Sequence, residues 1–117
     1  MLPQCEFWNP FDEAYADRWE PIPEVPGLSQ IVLGKDEETG SYSRLLKFEP
    51  GTDTTRMGVQ KHDFVEEILI HEGSLHDLTL DQTFRKGCWA YRRPGMPHGP
   101  WVSPDGCITF EARTYQR

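Results

Sequence analysis

From residue 29 onward the chain is a series of short aliphatic and aromatic runs cut at close intervals by glycine, proline and acidic turn formers. That rhythm leaves no room for long helices and calls for short antiparallel strands. Gln30-Ile-Val-Leu-Gly34 reads as a strand, followed by a polar turn at Asp36-Glu-Glu-Thr-Gly40. Ser43-Arg-Leu-Leu-Lys-Phe-Glu49 is the next strand, closed by Pro50-Gly51. Glu67-Ile-Leu-Ile-His71 is a strand ending in a turn at Glu72-Gly73, and Leu75–Leu80 follows it. A turn over Asp81–Gly87 leads to Cys88–Arg92, and Cys107–Tyr115 closes the series. Short strands with Gly/Pro turns predict an all-β sandwich or small barrel, whose interior can hold one small ligand.

Residues 1–28 are different. They hold five of the ten prolines and the large aromatics Phe7, Trp8, Phe11 and Trp19. Proline removes a donor and fixes a torsion, so this stretch is expected to be an extended arm. Its aromatics predict that it lies across the domain or a partner subunit. Only Asn9–Asp17 offers a turn or two of helix. The expected organisation is an arm over 1–28 and a barrel over 29–117.

Size and charge narrow the function. At 117 residues there is room for one modest core. A net charge of −7 without a basic cluster argues against nucleic acid and anionic membrane surfaces. No run approaches the roughly 20 apolar residues of a membrane span. No leader pattern is visible at the N-terminus, and the three cysteines, Cys5, Cys88 and Cys107, have no CxxC spacing. The expectation is a cytoplasmic protein with reduced thiols.

Two motifs carry chemistry. Gln60 and His62 are two apart, so on a strand they share a face. Asp63-Phe64-Val65 can turn the chain, and Glu66 then enters the next strand. Glu66 and Glu67 point to opposite faces, so only one of them can be interior. His98 follows Pro94-Gly95, a turn able to return a side chain to a barrel mouth. Two imidazoles, one carboxylate and one amide make the donor set of an open divalent-metal centre. With iron(II) such a site leaves positions for O₂ and a chelating substrate; with zinc it activates water or polarises a carbonyl. Gln60 is either a weak oxygen ligand or a residue that hydrogen-bonds bound water or substrate.

The remaining candidates have plainer readings. His71 beside a turn is expected to be solvated, and His76 to face either way. Trp89, Tyr91, Phe64 and Phe110 are expected in the core or pocket wall, Met57 and Met96 as gap fillers, and Cys88 and Cys107 as small buried residues. Arg92 and Arg93 alternate faces, so one can hold an anionic substrate near the mouth; a surface salt bridge is the default.

The spacing His62-xxx-Glu66-x6-Gly73, with Gly95-xx-His98 downstream, resembles the two motifs of the cupin superfamily. Gln60 stands where the first motif usually has a histidine, and Arg93 where the second usually has a proline. The wider run from Trp19 through Pro26-Gly27, Phe48-Glu-Pro-Gly51, Glu72-Gly73 and Arg92-Arg93-Pro94-Gly95 to Asp105-Gly106-Cys107 resembles the ChrR-type cupin group. That group includes cupin domains of anti-sigma factors and acetylacetone-cleaving dioxygenases. The resemblance implies a double-stranded β-helix, jelly-roll-like, with a divalent metal in its mouth held by His62, Glu66 and His98. It further implies an iron(II)-dependent dioxygenase acting on a diketone-like or other oxygen-chelating small molecule, with Gln60 orienting substrate or water. A non-catalytic metal-binding sensor and a zinc-dependent lyase or isomerase are the alternatives. Cupins commonly pair, and the arm's apolar surface predicts a homodimer.

Overall fold

One strand, Val65–Asp77, organises the molecule. The computed structural model describes residues 1–115, so the last two positions of the expected barrel unit lie outside the described residues. The strands are β1 (Glu20–Pro21), β2 (Leu28–Lys35), β3 (Tyr42–Phe48), β4 (Thr52–Asp53), β5 (Val65–Asp77), β6 (Gln82–Arg85), β7 (Trp89–Arg92), β8 (Trp101–Ser103) and β9 (Cys107–Thr114). Every ladder is antiparallel, in the order β1-β2-β3-β9-β5-β8-β4, with β6 and β7 also paired to β5. The first part of β5 lies between β9 and β7, and its last residues between β6 and β8. One long strand shared by both ends of the sheet curls it into a half-barrel.

The change of partners explains a departure from expectation. Glu72-Gly73 is not a reversal; β5 runs through it with a register shift between Ile70 and Glu72. Such a bulge bends a strand sharply without ending it. Gly73 sits at φ +75°, and a Cβ there would lie 2.0 Å from the Gly106 carbonyl oxygen, so only glycine fits. The reversal comes instead after Asp77, whose Oδ1 accepts from the backbone N–H groups of Thr79 and Leu80. The expected turn over 81–87 therefore contains a strand, β6. The short helix expected within 9–17 forms as a 3-10 helix, Glu13–Arg18, capped by Asp12 accepting from Ala14 N–H.

Register sorts the interior into layers. Leu28, Phe48 and Cys107 lie opposite one another in one row, and Gln30, Leu46, Thr109 and Ile70 in the next. The apolar members of these rows, with Val25 and Leu75, form the core at one end of the barrel. The third row is Val32, Arg44, Glu111 and Ile68; the fourth is Tyr42, Arg113, Glu66 and Arg92. The interior thus passes from hydrocarbon to charge along the barrel axis, and the charged end is the mouth.

The outer face reverses the usual pattern. Ile31, Leu45, Phe110, Leu69 and Trp89 lie side by side across five strands. Ile31 and Leu45 are buried, but Phe110, Leu69 and Trp89 are exposed. Trp89, Tyr91 and Phe110 are therefore not core or pocket wall, as their size suggested; only Phe64 of that group is buried. Met57, Met96 and Cys88 are also exposed rather than buried, whereas Cys107 is in the core. In the N-terminal stretch Phe11 stacks on His71 at 5.4 Å, Glu20–Pro21 pairs with β2, and Val25 is 1% exposed.

Candidate metal centre

The two motifs meet through the backbone. Gln60 N–H donates to the His98 carbonyl at 2.8 Å, and His98 N–H donates to the Gln60 carbonyl at 3.0 Å. Residues directly opposite in an antiparallel pair share a face. Gly95 N–H donates to the His62 carbonyl at 2.7 Å, which ties the second turn to the first motif. His62 and His98 thereby come together Nε2 to Nε2 at 3.1 Å. Glu66, the second residue of β5, turns inward below them. Its Oε1 is 3.8 Å from His98 Nε2 and its Oε2 is 4.0 Å from His62 Nε2. Glu67, facing outward, accepts a hydrogen bond from Trp89 Nε1 instead.

His62, Glu66 and His98 each offer a ligand atom, all within 4.8 Å of one another. Cis ligands bonded to a metal at about 2.1 Å are about 3.0 Å apart, which matches the two nitrogens. Burial holds both imidazoles below the usual histidine pKa, more than the Glu66 charge raises that of His62, so both favour the neutral, ligating form. His98 Nδ1 lies 3.1 Å from the Met96 carbonyl, which can only accept. The proton therefore sits on Nδ1, and Nε2 keeps its lone pair for the shared space. Phe64 stacks on His62 at 4.5 Å, and Trp101 packs beside His98 at 5.4 Å, which limits rotation of both rings. The donor set fits a divalent ion.

Glu66 also anchors a charged network. Arg92 Nη1 donates to Oε1 at 3.0 Å. Arg113 Nε lies 3.3 Å from Oε2, but its N–H is not aimed at that oxygen and finds no acceptor among the described residues. Arg113 Nη1 donates to the Tyr42 hydroxyl at 2.9 Å, and Nη2 is 3.6 Å from Glu111 Oε1. Arg44 donates from Nε and Nη2 to the same Glu111 oxygen and from Nη1 to Gln30 Oε1. Buried charges of this kind persist only when paired. Sequence reading missed Arg44, Glu111 and Arg113. The available signal was Glu111 and Arg113 two apart on a strand, which puts opposite charges on one face.

Other candidates fall elsewhere. Gln60 lies beside His98 in register, and its side-chain amide makes no hydrogen bond to a described residue. His76 sits in the β5–β6 hairpin, its Nδ1 2.9 Å from Thr83 Oγ1 and its Nε2 3.2 Å from Asp81. His71 lies against Phe11 on the outside. Arg92 is the inward member of its pair, and Arg93 is exposed.

The comparisons agree with this architecture. A cupin from Shewanella frigidimarina superposes with a TM-score of 0.73 at 19% identity, covering 99% of this chain and 95% of that one. An acetylacetone dioxygenase from Acinetobacter johnsonii gives 0.70 at 14% identity, covering 95% and 77%. A structure of Rhodobacter sphaeroides SigE in complex with the anti-sigma ChrR gives 0.64 at 23% identity, covering 83% of this chain and 48% of the matched one. At these identities the likeness establishes the cupin fold. No curated protein sequence matches. No helix among the described residues is long and apolar enough to cross a membrane. The family described as a ChrR cupin-like domain matches residues 13–115, and the chain belongs to that family.

Proposed function

We propose that this protein is a metal-dependent cupin enzyme that holds a divalent ion, iron(II) by preference, through His62, Glu66 and His98. Its reaction is of the dioxygenase type, on a small diketone-like or other oxygen-chelating molecule. The observation that carries the reading is the convergence of three buried or half-buried donors, with His98 held by Met96 so that its Nε2 lone pair faces the others. The acetylacetone dioxygenase among the structural neighbours adds support for the substrate class.

A bound divalent ion supplies Lewis acidity toward the chelating oxygens and, as iron(II), the electrons for O₂ chemistry. The chain's own residues do the rest. Burial disfavours the protonated forms of both rings, and the Met96 carbonyl leaves the His98 Nε2 lone pair directed inward. Arg92 and Arg113 fix the Glu66 carboxylate in one orientation. Phe64 and Trp101 shield the imidazoles from bulk water. Gln60, in register with His98, hydrogen-bonds substrate or water at the rim. Free thiols without a disulfide suit a cytoplasmic, reducing setting in which iron(II) persists. The exposed apolar residues Leu69, Trp89 and Phe110 suit pairing with a second copy.

The test is oxygen uptake. Chain loaded anaerobically with iron(II) consumes O₂ when a chelating diketone is added, and zinc-loaded chain does not. Turnover by the zinc form without O₂ uptake would replace this reading with a lyase or isomerase. Metal binding with no turnover in either form would favour a sensor.

A further inference from the structure

We infer that the substrate of this site carries a carboxylate beside its chelating oxygens and that Arg92 receives it. The inference deepens the metal-dependent reading above and rests on it.

The mouth is built with too much positive charge for a neutral chelate. Three guanidiniums, on Arg44, Arg92 and Arg113, face two carboxylates, on Glu66 and Glu111. Both imidazoles add nothing when neutral. A divalent ion raises the excess from one positive charge to about three. A diketone bound as its enolate returns only one negative charge. The excess is not a by-product of composition, because the chain as a whole carries −7. Uncompensated charge among largely buried side chains is costly, so the mouth favours a second negative group on the ligand.

Among the three arginines, Arg92 is the least committed. Arg44 is spent on Glu111 and Gln30. Arg113 donates to Tyr42 and lies between the two glutamates, with its Nε–H buried beside Glu66 and without an acceptor among the described residues. Arg92 makes a single hydrogen bond to a described residue, at Glu66 Oε1, which leaves most of its five N–H groups for another acceptor. Its guanidinium lies over the Trp101 ring at 5.3 Å, and the same indole packs against His98 at 5.4 Å. Trp101 therefore holds the guanidinium beside a candidate ligand, and a guanidinium fork can take a carboxylate bidentately. A 2,4-dioxo carboxylate meets both demands, with its two ketone oxygens toward the metal and its acid toward Arg92.

The test compares 2,4-dioxopentanoate with acetylacetone, which has the same diketone and a methyl in place of the acid, by titration calorimetry. Wild-type chain is titrated zinc-loaded, where no O₂ chemistry interferes, and metal-free, with metal content measured in parallel. The expectation is that loaded wild type prefers 2,4-dioxopentanoate roughly 10- to 100-fold. Arg92→Gln removes the preference while retaining metal. Equal binding of the two probes, or an unchanged preference in Arg92→Gln, overturns the inference. If Arg92→Gln does not fold, Arg92→Lys preserves the charge beside Glu66 but not the fork. A fall in 2,4-dioxopentanoate affinity alone supports the inference, and no change overturns it. A wild type that holds no metal defeats the metal reading separately. In that case a 2,4-dioxopentanoate preference in the metal-free chain that depends on Arg92 still supports the anion site, and its absence overturns it.

Discussion

Arg92 stands directly opposite Glu66 across β7 and β5, and its guanidinium closes the pair with a 3.0 Å hydrogen bond. Arg113 stands opposite the same glutamate on the other side, so one carboxylate holds three strands together at the mouth. The register makes these contacts as much as the side chains do. A slip of one residue would send Glu66 to the outer face and leave two arginines without a counter-charge.

Glu66→Gln therefore costs stability as well as metal. Both arginine heads remain mostly buried after the change, with one neutral oxygen to share. Loss of one partner from a buried pair destabilises by about 3 kcal/mol or more. Urea unfolding of the metal-free proteins checks this, and a change below about 0.5 kcal/mol would mean the network is not holding the mouth together.

Gly73→Ala strikes the fold at a distance from the site. The added methyl must displace the Gly106 backbone, and the residue must keep a positive φ. The expected loss exceeds about 3 kcal/mol, since steric and torsional costs combine. A thermal melt within a few degrees of wild type would show that the bulge can relax. Gly51 is the control: it too has positive φ, but a Cβ there meets nothing within 4 Å. Gly51→Ala should therefore cost much less.

Cysteine reactivity reports the core. Cys107 lies among Leu46, Phe48 and Ile70, and burial pushes its thiol up to about 12. Cys5 and Cys88 are exposed. A thiol reagent at pH 8 should label Cys5 and Cys88 quickly and Cys107 only on unfolding, read by mass spectrometry of the digested chain. Rapid labelling of Cys107 in the folded protein would place the core elsewhere.

The sequence made the strand rhythm and the metal motif legible because both depend on local spacing. Turn formers bound β2, β3, β7 and β9 closely enough to find them. His62, Glu66 and His98 were readable because their spacing survives any detail of packing. The arginine network was not. On β9 the inward residues are Cys107, Thr109, Glu111 and Arg113, while Ile108, Phe110 and Ala112 face outward. Hydrophobic alternation then points to the wrong face, because at the mouth end the interior is the charged side. The glycine at 73 was visible, but a bulge and a turn ask for the same residue. Only the long ladder of β5 distinguishes them.

Metal content is the most direct test. Chain purified without added metal, then loaded under anaerobic conditions and desalted, should hold about one divalent ion per chain. His62→Ala with His98→Ala, folded as judged by circular dichroism, should hold none. Full occupancy in that double variant would contradict the account, because the ion would then be bound somewhere other than the mouth where these two rings meet.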